Sequence, residues 1–168
     1  MTLTAPHPLD SHHQLQDFDC GESTLNDWLK RRALSNQLSG ASRTFVVSNP
    51  STQVLGYYAL AAGAVCHKLA TNPTRRNMPD PIPVLILARL AVDKRMQGMQ
   101  LGAALLQDAV KRALKVADDT GVRALLVHAL DEPAKQFYLH YGFQPSPIQP
   151  MTLMLCLPSL PKRVAELP

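Results

Sequence analysis

The chain of 168 residues has few of the features that mark secreted, membrane-embedded or zinc-stapled proteins. Its three cysteines, Cys20, Cys66 and Cys156, are far apart and form no C-x-x-C pair, so neither a disulfide framework nor a zinc knuckle is predicted. No stretch reaches the roughly 18 uninterrupted apolar residues of a membrane span, and the first residues lack the basic and apolar regions of a signal peptide. We therefore expect a cytoplasmic protein in a reducing compartment, with no membrane partner.

Aromatic residues and metal-ligand patterns are also scarce. Aromatic side chains make up 5% of the chain, and few of them flank the basic residues, so recognition of unpaired nucleotides by base stacking is not predicted. The six histidines have no spacing typical of a metal site, and we predict no metal. His128 lies on a predicted buried strand, where we expect a hydrogen-bonded core residue. The alternatives are a residue that positions a catalytic group and a base that acts through a water molecule.

The chain has an excess of positive charge, and this excess lies in its middle third. The formal net charge is +4, and residues 61–120 carry nine Lys and Arg residues against five Asp and Glu residues. A local basic surface of this kind attracts a polyanion such as a nucleotide or a nucleic acid. The alternative interpretation is a solvated helix face next to a basic loop.

Length and hydrophobic periodicity predict one domain, residues 1–158, followed by a short tail over residues 159–168. A hairpin is predicted near Asn49-Pro50-Ser51, and a proline-rich loop over residues 66–83 is expected to stay out of the sheet interior. The fold class is α/β (α+β), a mixed central sheet with helices on both faces, in the order β, α, ββ, β, α, β, α, β. Helices are predicted over 23–34, 101–118 and 132–141, and strands over 44–48, 54–65, 84–92, 122–130 and 151–157.

The most informative segment runs from Leu90 to Ala104, where a predicted buried strand passes through a turn into a long helix. Such a junction presents unpaired backbone N–H groups and the positive end of the helix dipole to an anion. Gly98 and Gly102 allow a phosphate to approach the main chain closely. We predict a pyrophosphate-binding loop, although glycine-containing turns before helices are also common for structural reasons alone.

The sequence Gln97-Gly-Met-Gln-Leu-Gly102, together with Ala134-Lys-Gln-Phe-Tyr-Leu-His-Tyr-Gly-Phe143 further on, resembles the acetyl-CoA signature of the GNAT N-acetyltransferases. Gln100 stands where the family pattern has the first of its two glycines. The resemblance implies the GNAT acyltransferase fold and acetyl-CoA as cosubstrate, without a metal. It places the cofactor-binding residues on the strand, the turn and the second motif: Leu90, Ala91, Val92, Gln97, Gly98, Met99, Gln100, Leu101, Gly102, Ala103, Ala134 and Phe137.

Five further segments resemble a narrower group, the GNAT toxins of bacterial type II toxin-antitoxin modules. These segments begin at Phe18, Ser42, Met78, Ala88 and Val127. The resemblance implies acetylation of the α-amino group of aminoacyl-tRNA, which blocks translation, and neutralisation by a ribbon-helix-helix antitoxin. Residues 153–157 and apolar strand edges suit either a homodimer interface or the core; we expect a homodimer.

The chemistry of acetyl transfer agrees with an α-amine substrate. A free α-amino group has a pKa of about 7.7–8.0, so a useful fraction is unprotonated near pH 7 and no strong base is obligatory, whereas a lysine side chain at about 10.4 needs a base far more. No Asp or Glu pair marks such a base in the sequence. By resemblance, Tyr138 is the catalytic acid that protonates the sulfur of CoA; without the resemblance, a tyrosine beside Phe137 is usually a packing residue.

Three arginines are the candidates for binding tRNA. Arg75 and Arg76 lie on the proline-rich loop and Arg95 lies beside the predicted phosphate loop. Guanidinium groups suit phosphate because their charge is permanent and their geometry bidentate. Two alternatives remain open: a GNAT enzyme that acetylates a small amine, peptide or protein, and a binding module without catalytic activity.

Overall fold

The computed structural model describes residues 2–160, in which the chain divides into two compact units. Of the described residues, the first unit comprises 2–61 and 88–109, and the second comprises 62–87 and 110–160. The strands are β1 (His7–Pro8), β2 (Arg43–Ser48), β3 (Val54–Val65), β4 (Ile82–Val92), β5 (Ala124–His128), β6 (Gln144–Pro145) and β7 (Thr152–Cys156). The helices are α1 (Ser23–Trp28), α2 (Leu34–Ser39), α3 (Asn72–Arg75), α4 (Leu101–Asp119) and α5 (Glu132–His140).

The seven strands form one mixed sheet in the order β1-β2-β3-β4-β5-β7-β6. Pairing is antiparallel for β1/β2, β2/β3, β5/β7 and β6/β7. β4 and β5 are parallel, with Val84 opposite Ala124 and Leu87 opposite Val127. The predicted crossover from strand to helix to parallel strand is therefore confirmed, as is the mixed sheet.

In the first unit, successive residues of β3 contact helices on opposite faces of the sheet, as the two-residue period of a strand requires. Tyr57 faces the helical segment over residues 23–39: its hydroxyl donates to the carbonyl of Leu25 at 2.7 Å, and its ring stacks on Trp28. Tyr58 faces α4, where its hydroxyl donates to the carboxylate of Asp108. The prediction of helices on both faces is confirmed. The core on the Tyr57 face comprises Leu9, Phe18, Leu29, Ala33, Val46, Val54, Tyr57 and Ala91.

The second unit has its own core around β5 and β7. Its buried residues are Val65, Ala70, Ile82, Val84, Ala124, Leu126 and Met154. Leu153, Leu155 and Leu157 are also buried, so this segment, expected to form either a dimer interface or the core, is part of the core.

Some of the predicted boundaries of helices and strands are confirmed, and others differ from the structure. β3 has its predicted bounds and α4 extends one residue further than predicted. The first predicted helix continues to Ser39 and contains a π-helical turn over Leu29–Ala33. The expectation for residues 66–83 is wrong in two respects, because α3 lies within them and Pro83 belongs to β4. Pro83 is tolerated because it is only the second residue of the strand.

The remaining differences concern the sheet edge and the end of the chain. The predicted strand order has no counterpart of β6, which is only two residues long. Of the predicted tail, residues 161–168 lie outside the described residues. No helix within residues 2–160 combines the length and apolarity needed to cross a bilayer. Cys20, Cys66 and Cys156 are free thiols, of which Cys66 is exposed.

Candidate active site

The turn between β4 and α4 is the main feature of the candidate site. A 3-10 turn over Lys94–Met96 follows β4, and α4 begins at Leu101. Gly98 has φ +82° and Gln100 has φ +61°, both in the left-handed region. A Cβ at Gly98 meets no atom within 4 Å, so backbone conformation rather than space favours glycine there.

This turn and the first turn of α4 present a row of free amides, residues 98–103, which we call the cradle. Among the hydrogen bonds of the described residues, no backbone N–H from Gly98 to Ala103 is a donor; the next N–H along the chain, that of Ala104, donates to the carbonyl of Gln100 at 3.2 Å. Free N–H groups at the start of a 19-residue helix attract phosphate. The cradle is therefore suited to hold an anion against the main chain.

Gln97 faces away from the cradle. Its side-chain amide donates to the carbonyl of Val92 at 2.9 Å and to the carbonyl of Cys20 at 3.0 Å. These two hydrogen bonds hold the turn against the end of β4 and against the segment before α1. Gln97 therefore positions the cradle, and its own amide hydrogens are occupied.

Asp93 is the second anchor of this turn and is almost fully buried. Its carboxylate accepts from the guanidinium of Arg95 at 2.9 and 3.1 Å, from the backbone N–H of Arg95, and from the backbone N–H of Asp19 at 3.0 Å. Burial raises the pKa of Asp93, but these hydrogen bonds outweigh it and hold the pKa below its usual range. The guanidinium of Arg95, a candidate tRNA contact, is therefore bound to the carboxylate of Asp93. The side chain of Arg95 is nevertheless 45% exposed.

β4 is longer than the part of it that pairs with β5. Register with β5 ends at Leu87 opposite Val127, whereas β4 continues to Val92. Leu90, Ala91 and Val92, the predicted cofactor-binding residues, lie in this extension. On the side of β5, the peptide groups of this extension have no strand register, and such a strand edge can pair with an extended ligand.

The second unit carries the predicted acid on α5. Asp131 caps the helix by accepting from the N–H of Ala134 at 2.9 Å, and Gly142, two residues after its end, has φ +94°. Tyr138 is 6% exposed and packs edge-on against Phe137 and Phe143. Its hydroxyl has no hydrogen-bond partner among the described residues, and burial raises the pKa of Tyr138 well above its ordinary value. The phenol therefore stays protonated at neutral pH.

The segment with Arg75 and Arg76 is held from its main-chain side. The guanidinium of Arg123 donates to the carbonyls of Pro73 at 2.7 Å, Thr74 at 3.2 Å and Arg76 at 3.4 Å. Arg75 and Arg76 themselves are exposed. We call residues 73–76 the arginine segment. Sequence reasoning missed Arg123, because a basic residue before a buried strand has no pattern that reveals its acceptors.

His128 differs from the prediction. It is exposed rather than buried in the core, and its Nδ1 lies 3.0 Å from the hydroxyl oxygen of Thr152. It is the last residue of β5, and the strand's burial pattern ends one residue before it. The expectation of a core residue is therefore wrong, although a hydrogen-bond partner is present.

Known proteins similar to this chain share its fold and sequence. Residues 40–145 match the family model of the acetyltransferase (GNAT) domain. A tRNA-acetylating toxin of Mycobacterium tuberculosis is 47% identical over 154 residues, covering 92% of each chain. The structure of AtaT complexed with acetyl-methionyl-tRNAfMet has a TM-score of 0.86 at 31% identity and covers 94% of this chain and 96% of that one.

A second solved structure contains a mutant of the same toxin with other bound molecules. A mutant of AtaT bound to the C-terminus of the antitoxin AtaR and acetyl-CoA has a TM-score of 0.80 at 30% identity, covering 94% of each chain. The family match spans more than half of the sequence, and it includes the cradle and α5. The chain belongs to the GNAT family of acetyltransferases.

Proposed function

We propose that this protein is the toxin of a type II toxin-antitoxin module, which transfers acetyl from acetyl-CoA to the α-amino group of aminoacyl-tRNA and so blocks translation. The observation that carries the proposal is the likeness, along nearly the whole chain, to a toxin that acetylates tRNA. We take residues 1–158 as one catalytic domain that performs this reaction.

The cradle fits the pyrophosphate of acetyl-CoA. Six consecutive free amides provide hydrogen-bond donors to phosphate oxygens, and Gly98 and Gln100 provide the backbone turn that aims them. The edge of β4 that has no register with β5 beyond Leu87 supplies the partners for the amides of the pantetheine arm. The proposed cofactor-binding set is Leu90 to Val92 and Gly98 to Ala103, with Ala134 and Phe137 added by the family resemblance; Gln97 acts by positioning this loop.

The reaction needs one proton donor from the protein. The neutral α-amine attacks the thioester carbonyl, the N–C bond forms, and the C–S bond breaks. The departing sulfur takes the phenolic proton of Tyr138, the amine releases its proton to solvent, and the phenolate regains a proton from solvent before the next turnover. A buried phenol without an internal hydrogen-bond partner is suited to this task, because its proton is not committed to another acceptor.

The arginine segment is the proposed contact for the phosphates of tRNA. Arg123 fixes its carbonyls, so the exposed side chains of Arg75 and Arg76 extend from an ordered base. Arg95 is the third candidate, through the part of its side chain that stays exposed beside the Asp93 pair. An antitoxin of the ribbon-helix-helix class and a homodimer complete the proposal; both rest on the family resemblance.

Acetyl transfer from labelled acetyl-CoA to bulk charged tRNA tests this function. We expect label on the aminoacyl group with the wild type, and a rate about 10²–10⁴ times lower with Tyr138→Phe at unchanged acetyl-CoA affinity. Tyr141→Phe is the matched control, since Tyr141 is an exposed phenol just after the same helix.

A parallel panel of small amines, peptides and proteins separates the alternatives. Label on those substrates but not on charged tRNA would contradict the proposed substrate and leave the acetyltransferase intact. Equal rates for the wild type and Tyr138→Phe would remove Tyr138 from the mechanism. Calorimetry that detects no acetyl-CoA binding would favour a binding module instead.

A further inference from the structure

Arg89 is a half-buried residue of β4 that takes no part in the cradle turn. Its Cζ lies over the ring of Trp28, 4.8 Å from the ring centroid, which is within the range of a cation–π contact. Trp28 in turn stacks on Tyr57, with 6.0 Å between the two ring centroids. The charge of Arg89 is therefore placed over an ordered pair of aromatic rings.

Arg89 has no anionic partner among residues 2–160. None of the ion pairs there includes it, and its one hydrogen bond is from Nη1 to the carbonyl of its neighbour Ala88 at 3.0 Å. Arg123, which is also half-buried, donates to three carbonyls. Because an aromatic ring offers no oxygen acceptor, most of the five N–H donors of Arg89 remain available to a ligand. A half-buried charge without an anion costs free energy, which a bound anion would recover.

The face of the sheet on which Arg89 lies indicates which substrate carries this anion. Arg89 and Trp28 lie on the Tyr57 face, whereas Tyr58 contacts α4 on the opposite face. The cradle at the start of α4 already offers six amides to the pyrophosphate of acetyl-CoA. An anion at Arg89 is therefore separate from that pyrophosphate and belongs to the acceptor.

The place of Arg89 along β4 narrows the choice to one phosphate of the acceptor. The cradle follows the end of β4, so a pantetheine arm that pairs with residues 90–92 runs from the cradle towards Arg89, with the thioester at its far end. The α-amine of aminoacyl-tRNA has to meet that thioester. The anion nearest to this amine in the RNA is the 5′ phosphate of the terminal nucleotide.

We propose that the guanidinium of Arg89, positioned by Trp28, binds the 5′ phosphate of the 3′-terminal nucleotide of the acceptor RNA. This inference rests on the proposed function, because only a charged tRNA brings an aminoacylated RNA end to this site. A guanidinium can bind a phosphate through two parallel N–H···O bonds, which fix the direction of the ligand as well as its distance. Arg89 thus positions the aminoacyl end for attack on the thioester.

The fluorescence of Trp28 measures this binding directly, because Trp28 is the one tryptophan of the chain. The trinucleotide CCA, the uncharged 3′ end of tRNA, should change the emission with a Kd below about 1 mM, and adenosine, which has no phosphate, should not. Arg89→Gln should weaken the binding of CCA at least about tenfold. Arg89→Lys keeps the charge without the bidentate geometry and should lie between the two. Lys115→Gln, which removes an exposed charge from α4, is the matched control and should bind CCA as the wild type does.

Calorimetry with acetyl-CoA separates this site from the cofactor site and checks that Arg89→Gln is folded. The variant should bind acetyl-CoA as the wild type does; a weaker affinity would assign Arg89 to a phosphate of the cofactor and overturn the proposal. Equal affinities of the wild type and Arg89→Gln for CCA would also overturn it. A wild type that does not acetylate charged tRNA would contradict the proposed function alone, whereas the titration with CCA decides the role of Arg89 without any turnover.

Discussion

The turn between β4 and α4, here called the cradle turn, exposes its backbone, whereas the arginine segment exposes its side chains. In the turn, the side chains of Asp93 and Gln97 are bound inward and the backbone amides face outward. In the arginine segment, the backbone carbonyls are bound inward by Arg123 and the arginine side chains face outward. The first region therefore depends on backbone conformation, and the second depends on side-chain charge.

The largest expected effect comes from Asp93, which organises the cradle turn. Asp93→Asn should lower the free energy of unfolding at pH 7 by about 2–3 kcal/mol, because Arg95 and the N–H of Asp19 lose a buried charged acceptor. The folded pKa of Asp93 lies below its unfolded value, so its stabilisation is present above about pH 4 and is lost as pH falls through the folded pKa.

Urea denaturation at pH 7 and pH 3 checks this prediction. The difference between wild type and Asp93→Asn should be large at pH 7 and smaller at pH 3. Asp119→Asn, at an exposed carboxylate, should show no such difference. A difference that is equal at both pH values would mean that the carboxylate charge does not stabilise the turn.

The next effect concerns the base of the arginine segment. Arg123→Met keeps the apolar stem and removes the donors to three backbone carbonyls, so we expect a loss of about 1–2 kcal/mol in unfolding free energy. The KM for charged tRNA should rise while that for acetyl-CoA stays constant. Lys115→Met, at an exposed position of α4, is the control for charge alone. A rise in both KM values would show that the arginine segment is not specific to tRNA.

The arginine side chains themselves are expected to act through charge. Replacing Arg75 and Arg76 by Gln should lower kcat/KM for charged tRNA about tenfold at physiological salt, and should flatten the logarithmic salt dependence by about 0.7–0.9 for each phosphate that is no longer neutralised. Replacing Arg31 and Arg32, which are exposed on the π-helical turn, removes the same charge elsewhere. Equal decreases in both double variants would indicate a general field rather than a direct interaction.

The smallest effect distinguishes the two left-handed residues of the cradle turn. Gln100→Gly should raise the unfolding free energy by about 0.5–1 kcal/mol, because glycine adopts φ +61° without the strain of a side chain. Gly98→Ala should lower it by about 1 kcal/mol for the converse reason. Chemical denaturation of the two variants together measures both, and shifts of the same sign would contradict this account.

Long regular elements could be predicted from the sequence, since β3 is a continuous apolar run whose first seven residues are buried, and α4 buries apolar residues at a spacing of about 3.6. The turn between β4 and α4 could be predicted for a similar reason, because a buried strand followed by glycine and a helix has few local solutions. What could not be predicted depends on distant partners. Gln97 reaches the carbonyl of Cys20, and Arg123 reaches that of Pro73.

The departures from prediction have the same origin. Gln100 adopts a backbone conformation that its residue type does not favour, and Pro83 lies inside a strand near its start. Both are cases in which the surrounding fold outweighs a local preference. His128 was assigned to the core because its strand is apolar, but the strand's last residue extends beyond the buried stretch.

The three free thiols give the natural sequence a position for a fluorescent reporter. Cys66 is exposed, whereas Cys20 and Cys156 are half-buried and burial raises the pKa of the Cys20 thiol. A maleimide dye should therefore attach first at Cys66, which precedes the arginine segment by seven residues. Its emission can then test in real time whether charged tRNA reaches this part of the chain, without any engineered cysteine.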